Sequence, residues 1–125
     1  MVQFGNIPTK LRKKGLESKL LKVCLDNDVV FMGIFGSFVR GEQKRGSDVD
    51  IAIRYRKGTR KSLFDLVELQ QALSRTFGRK VDLGEFDCIN PYIIDEVKKQ
   101  MKVVYEDNPQ HKVGGLWSDK YGALK

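Results

Sequence analysis

The sequence predicts an α/β (α+β) domain in which helices pack mainly on one face of a mixed β-sheet. Three observations support this fold class. The chain of 125 residues is long enough for one domain with a buried core. Its apolar residues follow helical and strand periodicities in the order α-β-β-α-β-α-β. Its content of 41% hydrophobic and 31% charged residues is typical of a globular protein.

The N-terminal half is expected to contain one long helix and two strands. Residues 9–26 have apolar side chains at helical spacing, with Thr9 as the candidate N-cap and Gly15 as a point where the first turn could break away. Residues 29–35 are β-branched and aromatic, which is typical of a buried strand. Residues 48–54 are expected to form the second strand.

The C-terminal half is expected to contain two helices and two strands. Ser62 is a favourable N-cap for an amphipathic helix that ends before Gly78. Asn90 followed by Pro91 indicates the start of the last helix, because proline is favoured at the first helical position. Residues 80–86 and 103–105 have the composition of strands. The expected apolar faces of the two helices comprise Leu63, Leu66, Leu69, Leu73 and Phe77 in the first, and Ile93, Ile94, Val97 and Met101 in the second.

We expect residues 1–107 to form the domain and residues 108–125 to form a polar C-terminal tail. No apolar run approaches the roughly 20 residues of a membrane helix, so no membrane contact is expected. The first residues lack the basic and apolar layout of a signal peptide, which favours a cytoplasmic location. Cys24 and Cys88 are far apart and follow no metal-binding spacing, so we expect reduced, partly buried thiols.

The chain is basic, with a net charge of +7 and a pI of about 9.5. This charge favours anionic partners, such as nucleotides, RNA or an acidic protein surface. A solvated helix face explains the same charge equally well, so RNA binding has only weak support from it. The basic residues that crowd the N-terminal segment are Lys10, Arg12, Lys13, Lys14, Lys19 and Lys22.

Two aspartates, Asp48 and Asp50, lie one residue apart in an apolar run. Residues i and i+2 of a strand point to the same face, about 6.6 Å apart, so these carboxylates project together while Val49 and Ile51 point into the core. Two carboxylates this close repel each other unless a cation lies between them, and hard oxygen ligands suit Mg²⁺. A pair of solvent-exposed aspartates at a sheet edge is the alternative.

A glycine-serine pair, Gly36 and Ser37, follows the first buried strand. Glycine at this point lets backbone amides approach a phosphate, and a short helical turn over Ser37–Arg40 would direct further N–H groups towards it. Arg40 lies one turn further on, so it could reach the same phosphate or brace the loop. A plain tight turn capped by Ser37 is the alternative.

Together these residues resemble the signature of the DNA polymerase β-like nucleotidyltransferase superfamily. The signature is Gly-Ser-x-x-Arg-Gly, a short loop, and Ser-Asp-x-Asp. Among its groups the chain looks most like the minimal nucleotidyltransferases (MNT), although Val39 stands where that group commonly has alanine. The motif lies in residues 36–50, and the flanking elements resemble the family over roughly residues 10–107. The matching residues are Gly36, Ser37, Arg40, Gly41, Ser47, Asp48 and Asp50.

The resemblance implies a nucleotidyltransferase fold with a third carboxylate on a neighbouring strand. Asp82 is the best candidate, because its neighbours Val81 and Leu83 are apolar and place the acid on the opposite face. Glu85 and Asp87 are alternatives. Glu85 has the wrong parity in a regular strand, and Asp87 ranks second.

The resemblance also implies the activity, which is transfer of a nucleoside monophosphate from an NTP, with ATP expected, to an acceptor hydroxyl. Pyrophosphate would be released, and two Mg²⁺ ions would assist. The implied catalytic and metal-binding residues are Asp48, Asp50 and Asp82, and the implied nucleotide-binding residues are Gly36, Ser37, Arg40 and Ser47.

In the minimal family the acceptor is a partner protein, typically a small helical HEPN protein. The resemblance therefore implies an MNT-type antitoxin that adenylylates a tyrosine of a HEPN ribonuclease toxin, in a homo- or hetero-oligomer. One alternative is a stand-alone transferase that modifies a small molecule or an RNA end. Another is a non-catalytic module that neutralises an RNase by contact.

Overall fold

The computed structural model describes residues 1–107, so the predicted C-terminal tail lies outside the described residues. The helices and strands are α1 Leu16–Asp26, β1 Val29–Phe35, α2 Ser37–Arg40, β2 Val49–Tyr55, α3 Leu63–Phe77, β3 Val81–Glu85, α4 Ile94–Gln100 and β4 Lys102–Glu106. The strands form one four-stranded sheet in the order β3-β2-β1-β4. Strand β1 is antiparallel to β2 and β4, whereas β2 and β3 are parallel. The predicted mixed sheet is thus confirmed.

The two longer helices, α1 and α3, pack on one face of the sheet. The main core contains Leu16, Leu20 and Cys24 of α1 and Leu69 and Leu73 of α3, all of which are fully buried. Inward residues of the strands complete this core, and they are Val29, Met32, Ile34, Val49, Ile51, Ile53, Val81, Leu83, Val104 and Tyr105. Helices therefore lie mainly on one face, as predicted.

The opposite face of the sheet carries a smaller cluster. Phe31 of β1, Ala52 of β2 and Phe86 just after β3 are buried there, with Ile94 and Met101 from the α4 region packed against them. The short helix α4 therefore covers part of the face that also carries Asp50. Because this cover is small, one end of the face stays open around the carboxylates.

The predicted helix over residues 9–26 is wrong at its N-terminal end. Residues Thr9–Leu11 form a separate 3-10 turn, and α1 begins only at Leu16. Gly15 precedes α1 with φ 79°, a left-handed conformation that interrupts the helix. The interruption lies at the residue where the sequence pattern allows the first turn to break away. Thr9 therefore does not cap α1.

Helix α3 begins and ends as predicted. The Ser62 hydroxyl accepts a hydrogen bond from the Asp65 backbone, and the Asp65 carboxylate accepts one from the Ser62 backbone, which is a capping box. Gly78 ends the helix in the left-handed conformation. Leu63 is an exception to the predicted apolar face, since it is 73% exposed in the first turn, before the helix reaches the core.

Helix α4 begins later than Asn90 and Pro91 predict. Residues 91–93 form a turn in which the Asn90 side chain accepts a hydrogen bond from the Tyr92 backbone at 2.8 Å, and regular helix follows from Ile94. This local hydrogen bond competes with helix formation. Ile93 is consequently 51% exposed instead of lying on the apolar face.

Both cysteines of the chain are free, with Cys24 buried and Cys88 exposed. Within residues 1–107 no helix has the length and apolar character needed to span a membrane.

Candidate active site

The carboxylates of Asp50 and Asp82 lie side by side on neighbouring parallel strands. Asp50 of β2 and Asp82 of β3 are direct register partners. Each is flanked by buried residues of the main core, with Val49 and Ile51 around Asp50, so strand alternation places both acids on the opposite face. Asp50 is partly buried and Asp82 is exposed. The structure therefore brings together the two acids that the sequence placed on separate strands.

Asp48 immediately precedes β2 and is partly buried. The next residue, Val49, donates a backbone hydrogen bond to Lys80 at 2.9 Å, which fixes the entry to the strand beside β3. Asp48 thus reaches the carboxylate pair from the loop that enters the strand.

The pKa of Asp50 is raised above its ordinary value of 3.8. The largest cause is burial, which disfavours the charged form, and the negative charges of Asp82 and Asp48 act in the same direction. The positive charge of Arg40 acts in the opposite direction. Asp48, Asp82 and Arg40 therefore all lie within electrostatic reach of Asp50, and a bound cation would relieve the repulsion.

Gly36 links β1 to α2 and closes one side of this site. Its backbone has φ 81° and ψ −154°, a combination that side chains other than hydrogen strongly disfavour. A Cβ at this position would overlap the Asp50 carboxylate and would lie 3.0 Å from its Cγ. Glycine is therefore required both by the backbone conformation and by the close approach of Asp50.

The predicted short helical turn is present as α2, Ser37–Arg40. The Gly36 carbonyl accepts from the Val39 and Arg40 backbones at 3.1 Å each. Amides in the first turn of a helix have no acceptor inside the helix. Within residues 1–107 no oxygen atom accepts a hydrogen bond from the Ser37 backbone amide. Ser37 therefore offers an amide and a hydroxyl beside Gly36.

Gln100, the last residue of α4, contacts this turn and was not predicted from the sequence. Its Oε1 accepts a hydrogen bond from the Gly36 backbone at 2.8 Å and another from Arg40 Nη1 at 3.0 Å. Arg40 Nε also pairs with Glu42 at 2.8 Å. Arg40 therefore braces the turn, which is one of the two roles that its spacing suggested. No sequence signal links Gln100 to Gly36 and Arg40, which lie 64 and 60 positions away.

Ser47 closes the loop between α2 and β2. Its hydroxyl accepts a hydrogen bond from the Lys44 backbone at 2.7 Å, and its own backbone donates to the Lys44 carbonyl at 2.9 Å. This turn sets the direction of the backbone that leads into Asp48. In the structure Ser47 shapes the loop next to the carboxylates.

The two alternatives for the third acid lie elsewhere. Glu85 pairs in register with Ile53, a residue of the main core. Its side chain therefore lies on the opposite face of the sheet from Asp50 and Asp82, as its parity predicts. Asp87 forms an ion pair with Arg54 at 2.6 Å. Arg54 is four residues after Asp50, about 13 Å along β2. Arg54 and Asp87 line a cleft of about 320 Å³ at that distant end of the face.

The carboxylates fit a hard divalent cation in their chemistry. Within the described part of the chain, no three His, Cys, Asp or Glu side chains converge into a complete metal-binding cluster. Mg²⁺, however, commonly binds through one or two carboxylates and keeps several water molecules. Adjacent Asp50 and Asp82, with Asp48 within electrostatic reach, supply such oxygens.

The family model of "Polymerase beta, Nucleotidyltransferase" matches residues 18–110. One relative is a provisionally named protein adenylyltransferase of Methanocaldococcus jannaschii. It is 37% identical over 82 residues, which cover 66% of this chain and 86% of the relative. The residues matched by the family model include every candidate site residue from Gly36 to Asp82.

Solved structures share the fold. A crystal structure of a toxin-antitoxin with AMP-PNP aligns with a TM-score of 0.61 and 24% identity, covering 86% of this chain and 87% of that one. A complex of tri-AMPylated Shewanella oneidensis HEPN toxin with MNT antitoxin aligns with a TM-score of 0.55 and 21% identity, covering 87% and 86%. With the fold, the motif and the family match in agreement, the chain belongs to the polymerase β-like nucleotidyltransferases and, among these, to the minimal nucleotidyltransferases.

Proposed function

We propose that this nucleotidyltransferase transfers AMP from ATP to a hydroxyl group of a partner protein. The observation that carries the proposal is the register pairing of Asp50 with Asp82 beside the Gly36 turn. This arrangement places a carboxylate pair next to a potential phosphate-binding turn, which is what nucleotidyl transfer requires. The name of the M. jannaschii relative, a protein adenylyltransferase, supports a protein as the acceptor.

The nucleotide would bind through its phosphates at the turn after β1. The Ser37 amide and hydroxyl would donate to phosphate oxygens, while the Gly36 amide already donates to Gln100. Arg40 would hold the turn through its contacts with Gln100 and Glu42. Ser47 would act indirectly, by shaping the loop into Asp48.

Asp48, Asp50 and Asp82 would hold two Mg²⁺ ions. Bound there, the ions would neutralise charge on the phosphates and on the attacking oxygen. The acceptor oxygen forms the new bond to the α-phosphorus as the bond to pyrophosphate breaks. Asp82, which is exposed, would take the proton of the acceptor hydroxyl. The rest of the rate acceleration would come from positioning.

The acceptor that we propose is a tyrosine of a helical HEPN-type toxin, which makes this chain an MNT-type antitoxin. Support comes from the solved complex of an AMPylated HEPN toxin with an MNT antitoxin. The chain also exposes large apolar side chains in the first turns of α3, namely Leu63, Phe64 and Val67 at 73%, 82% and 43%. Exposed apolar clusters of this kind mark sites of protein contact.

The test is incubation of the protein with Mg²⁺, a HEPN-type partner and ATP labelled at the α-phosphorus. Label is expected on a partner tyrosine, and ATP labelled at the γ-phosphorus should leave the partner unlabelled. The absence of transfer to any partner, with any NTP, would overturn the enzymatic proposal. Transfer to RNA or to a small molecule instead would identify a stand-alone transferase.

An Asp48→Asn variant separates catalysis from simple contact. We expect it to bind the partner but to lose both label transfer and protection against the toxin. An Asp26→Asn variant is the matched control, because Asp26 is an exposed acid that pairs with Lys22 on α1. Full protection by the Asp48→Asn variant would show that the protein neutralises its partner by contact.

A further inference from the structure

The side chain of Gln100 joins the end of α4 to the turn between β1 and α2, which lies at least 60 positions earlier in the sequence. Its Oε1 accepts from the Gly36 backbone, at the end of β1, and from the Arg40 guanidinium in α2. Its Nε2 donates to the Glu96 carbonyl one turn earlier in α4, at 3.3 Å. All three hydrogen bonds hold one amide in one orientation, which places the end of α4 against the turn after β1.

The position of Gln100 is fixed from its C-terminal side as well. Only Met101 separates Gln100 from β4, and β4 begins with Lys102 in register with Ile34 of β1. Met101 packs over Gly33 of β1, where a Cβ would lie 2.6 Å from Met101 Cγ. Gln100 is therefore held over the end of β1 by strand pairing and by side-chain packing, so it has little freedom to move.

Gly36 needs this support because its backbone conformation is unfavourable for most residues and flexible for glycine. The hydrogen bond to Gln100 fixes the direction of the Gly36 peptide, and the bond to Arg40 fixes the other end of the same turn. The Ser37 amide, which follows directly, then points in one direction. A turn that is fixed before the ligand arrives loses less entropy on binding.

We propose that Gln100 is a positioning residue that holds the Gly36–Arg40 turn in the conformation that binds the nucleotide phosphates. The inference rests on the proposed function, since it takes a nucleotide to be the ligand of this turn. Gln100 does not bind the phosphates itself, because its donor group, Nε2, is directed at the Glu96 carbonyl. It acts through these two residues.

The test measures binding of AMP-PNP with Mg²⁺ by calorimetry, without any acceptor. Gln100→Ala is expected to weaken this binding about tenfold, as for the loss of one or two hydrogen bonds. Gln100→Glu keeps an acceptor oxygen for the Gly36 amide and for Arg40, so it should retain more of the affinity than Gln100→Ala. Lys99→Ala is the matched control, since the exposed Lys99 side chain lies on the same helix and forms an ion pair with Glu96, and the variant should bind like the wild type.

Two further measurements exclude a merely structural effect. In the variant without nucleotide, hydrogen exchange at the Gly36 amide should accelerate while exchange in the middle of β1 stays unchanged. In the transfer reaction, Gln100→Ala should raise the KM for ATP and leave the KM for the acceptor unchanged. Addition of Arg40→Ala should cost less in the Gln100→Ala background than in the wild type, because the two side chains act together.

The outcomes distinguish this inference from the proposed function. If the wild type binds AMP-PNP but transfers no AMP, the proposed function fails and the Gln100 variants still decide the inference. Unchanged affinity in Gln100→Ala overturns the inference even when transfer is intact. Tighter binding in Gln100→Ala also overturns it, because Gln100 would then compete with the phosphate for the Gly36 amide. A wild type that binds no nucleotide overturns both.

Discussion

The Asp50 carboxylate occupies the space that any side chain at Gly36 would need. Gly36 directly follows β1, and Asp50 lies on the adjacent antiparallel strand β2, where it pairs in register with Phe35. The turn after β1 and the central acid of β2 therefore fit against each other. A change at one of them must displace the other.

Gly36→Ala should consequently abolish nucleotidyl transfer and lower stability by about 1–3 kcal/mol, because the backbone conformation is one that only glycine adopts readily. Thermal unfolding and the transfer assay measure the two effects. Gly58→Ala is the control, since Gly58 also has a positive φ of 90° but no atom within 4 Å of its Cβ position. It should lose some stability and keep its activity. Full activity in Gly36→Ala would contradict the tight fit.

Asp50→Asn should inactivate the enzyme and yet stabilise the metal-free protein at neutral pH. The pKa of Asp50 is raised above 3.8 in the fold, so the protonated form favours the folded state. The stabilisation of the fold by protonated Asp50 is fully present below the ordinary pKa of an aspartate. It is lost as the pH rises through the raised pKa of Asp50. At pH 7 the wild type therefore carries an unfavourable charge that asparagine removes.

The measurement is the Tm of both proteins as a function of pH in the presence of a chelator. The variant should melt a few degrees higher near neutral pH, and the difference should shrink as the pH falls below about 4. Mg²⁺ should raise the Tm of the wild type more than that of the variant, because the variant lacks one of the three charged ligands. A Tm difference that is independent of pH would contradict the assignment.

Asp82→Asn should lower kcat by roughly a hundredfold to a thousandfold, as for the loss of one charged group that stabilises the transition state. Asp87→Asn should leave kcat unchanged, because Asp87 pairs with Arg54 far from Asp50. The two variants compared in the same transfer assay identify the third acid. The reverse pattern would transfer the role to Asp87.

The two cysteines should differ sharply in reactivity. Burial raises the pKa of the Cys24 thiol to about 12, so almost no thiolate forms at neutral pH. Cys88 is exposed. Alkylation with iodoacetamide at pH 8, followed by peptide mass spectrometry, should modify Cys88 quickly and Cys24 only after unfolding. Equal rates in the native protein would show that α1 does not pack as described.

Local sequence patterns were sufficient to predict the strands and the capped helix α3. The alternation of Asp82 with Val81 and Leu83 correctly predicted the face on which the acid lies. Alternation says nothing about which strand lies next to which. The pairing of Asp50 with Asp82 therefore had to come from the structure, because register depends on contacts between distant segments.

The errors at the helix starts have local causes. Because Gly15 adopts the left-handed conformation, α1 begins only at Leu16. Because the Asn90 side chain accepts a hydrogen bond from the Tyr92 backbone, a turn precedes α4. The contact of Gln100 with Gly36 was not predicted for a different reason. A polar residue at the end of an amphipathic helix is typical of a solvent-exposed position, and only the α4–β4 junction brings it to Gly36.

Strand β1 is hydrogen-bonded on both sides, to β2 and to β4, and it ends directly in Gly36. Interior strands of this kind open only when the whole domain unfolds. The turn that begins at Gly36 is therefore attached to a strand that we expect to exchange slowly, while Asp82 lies on an edge strand. The free energy of local opening is therefore expected to be higher at the base of the Gly36 turn than at the β3 edge.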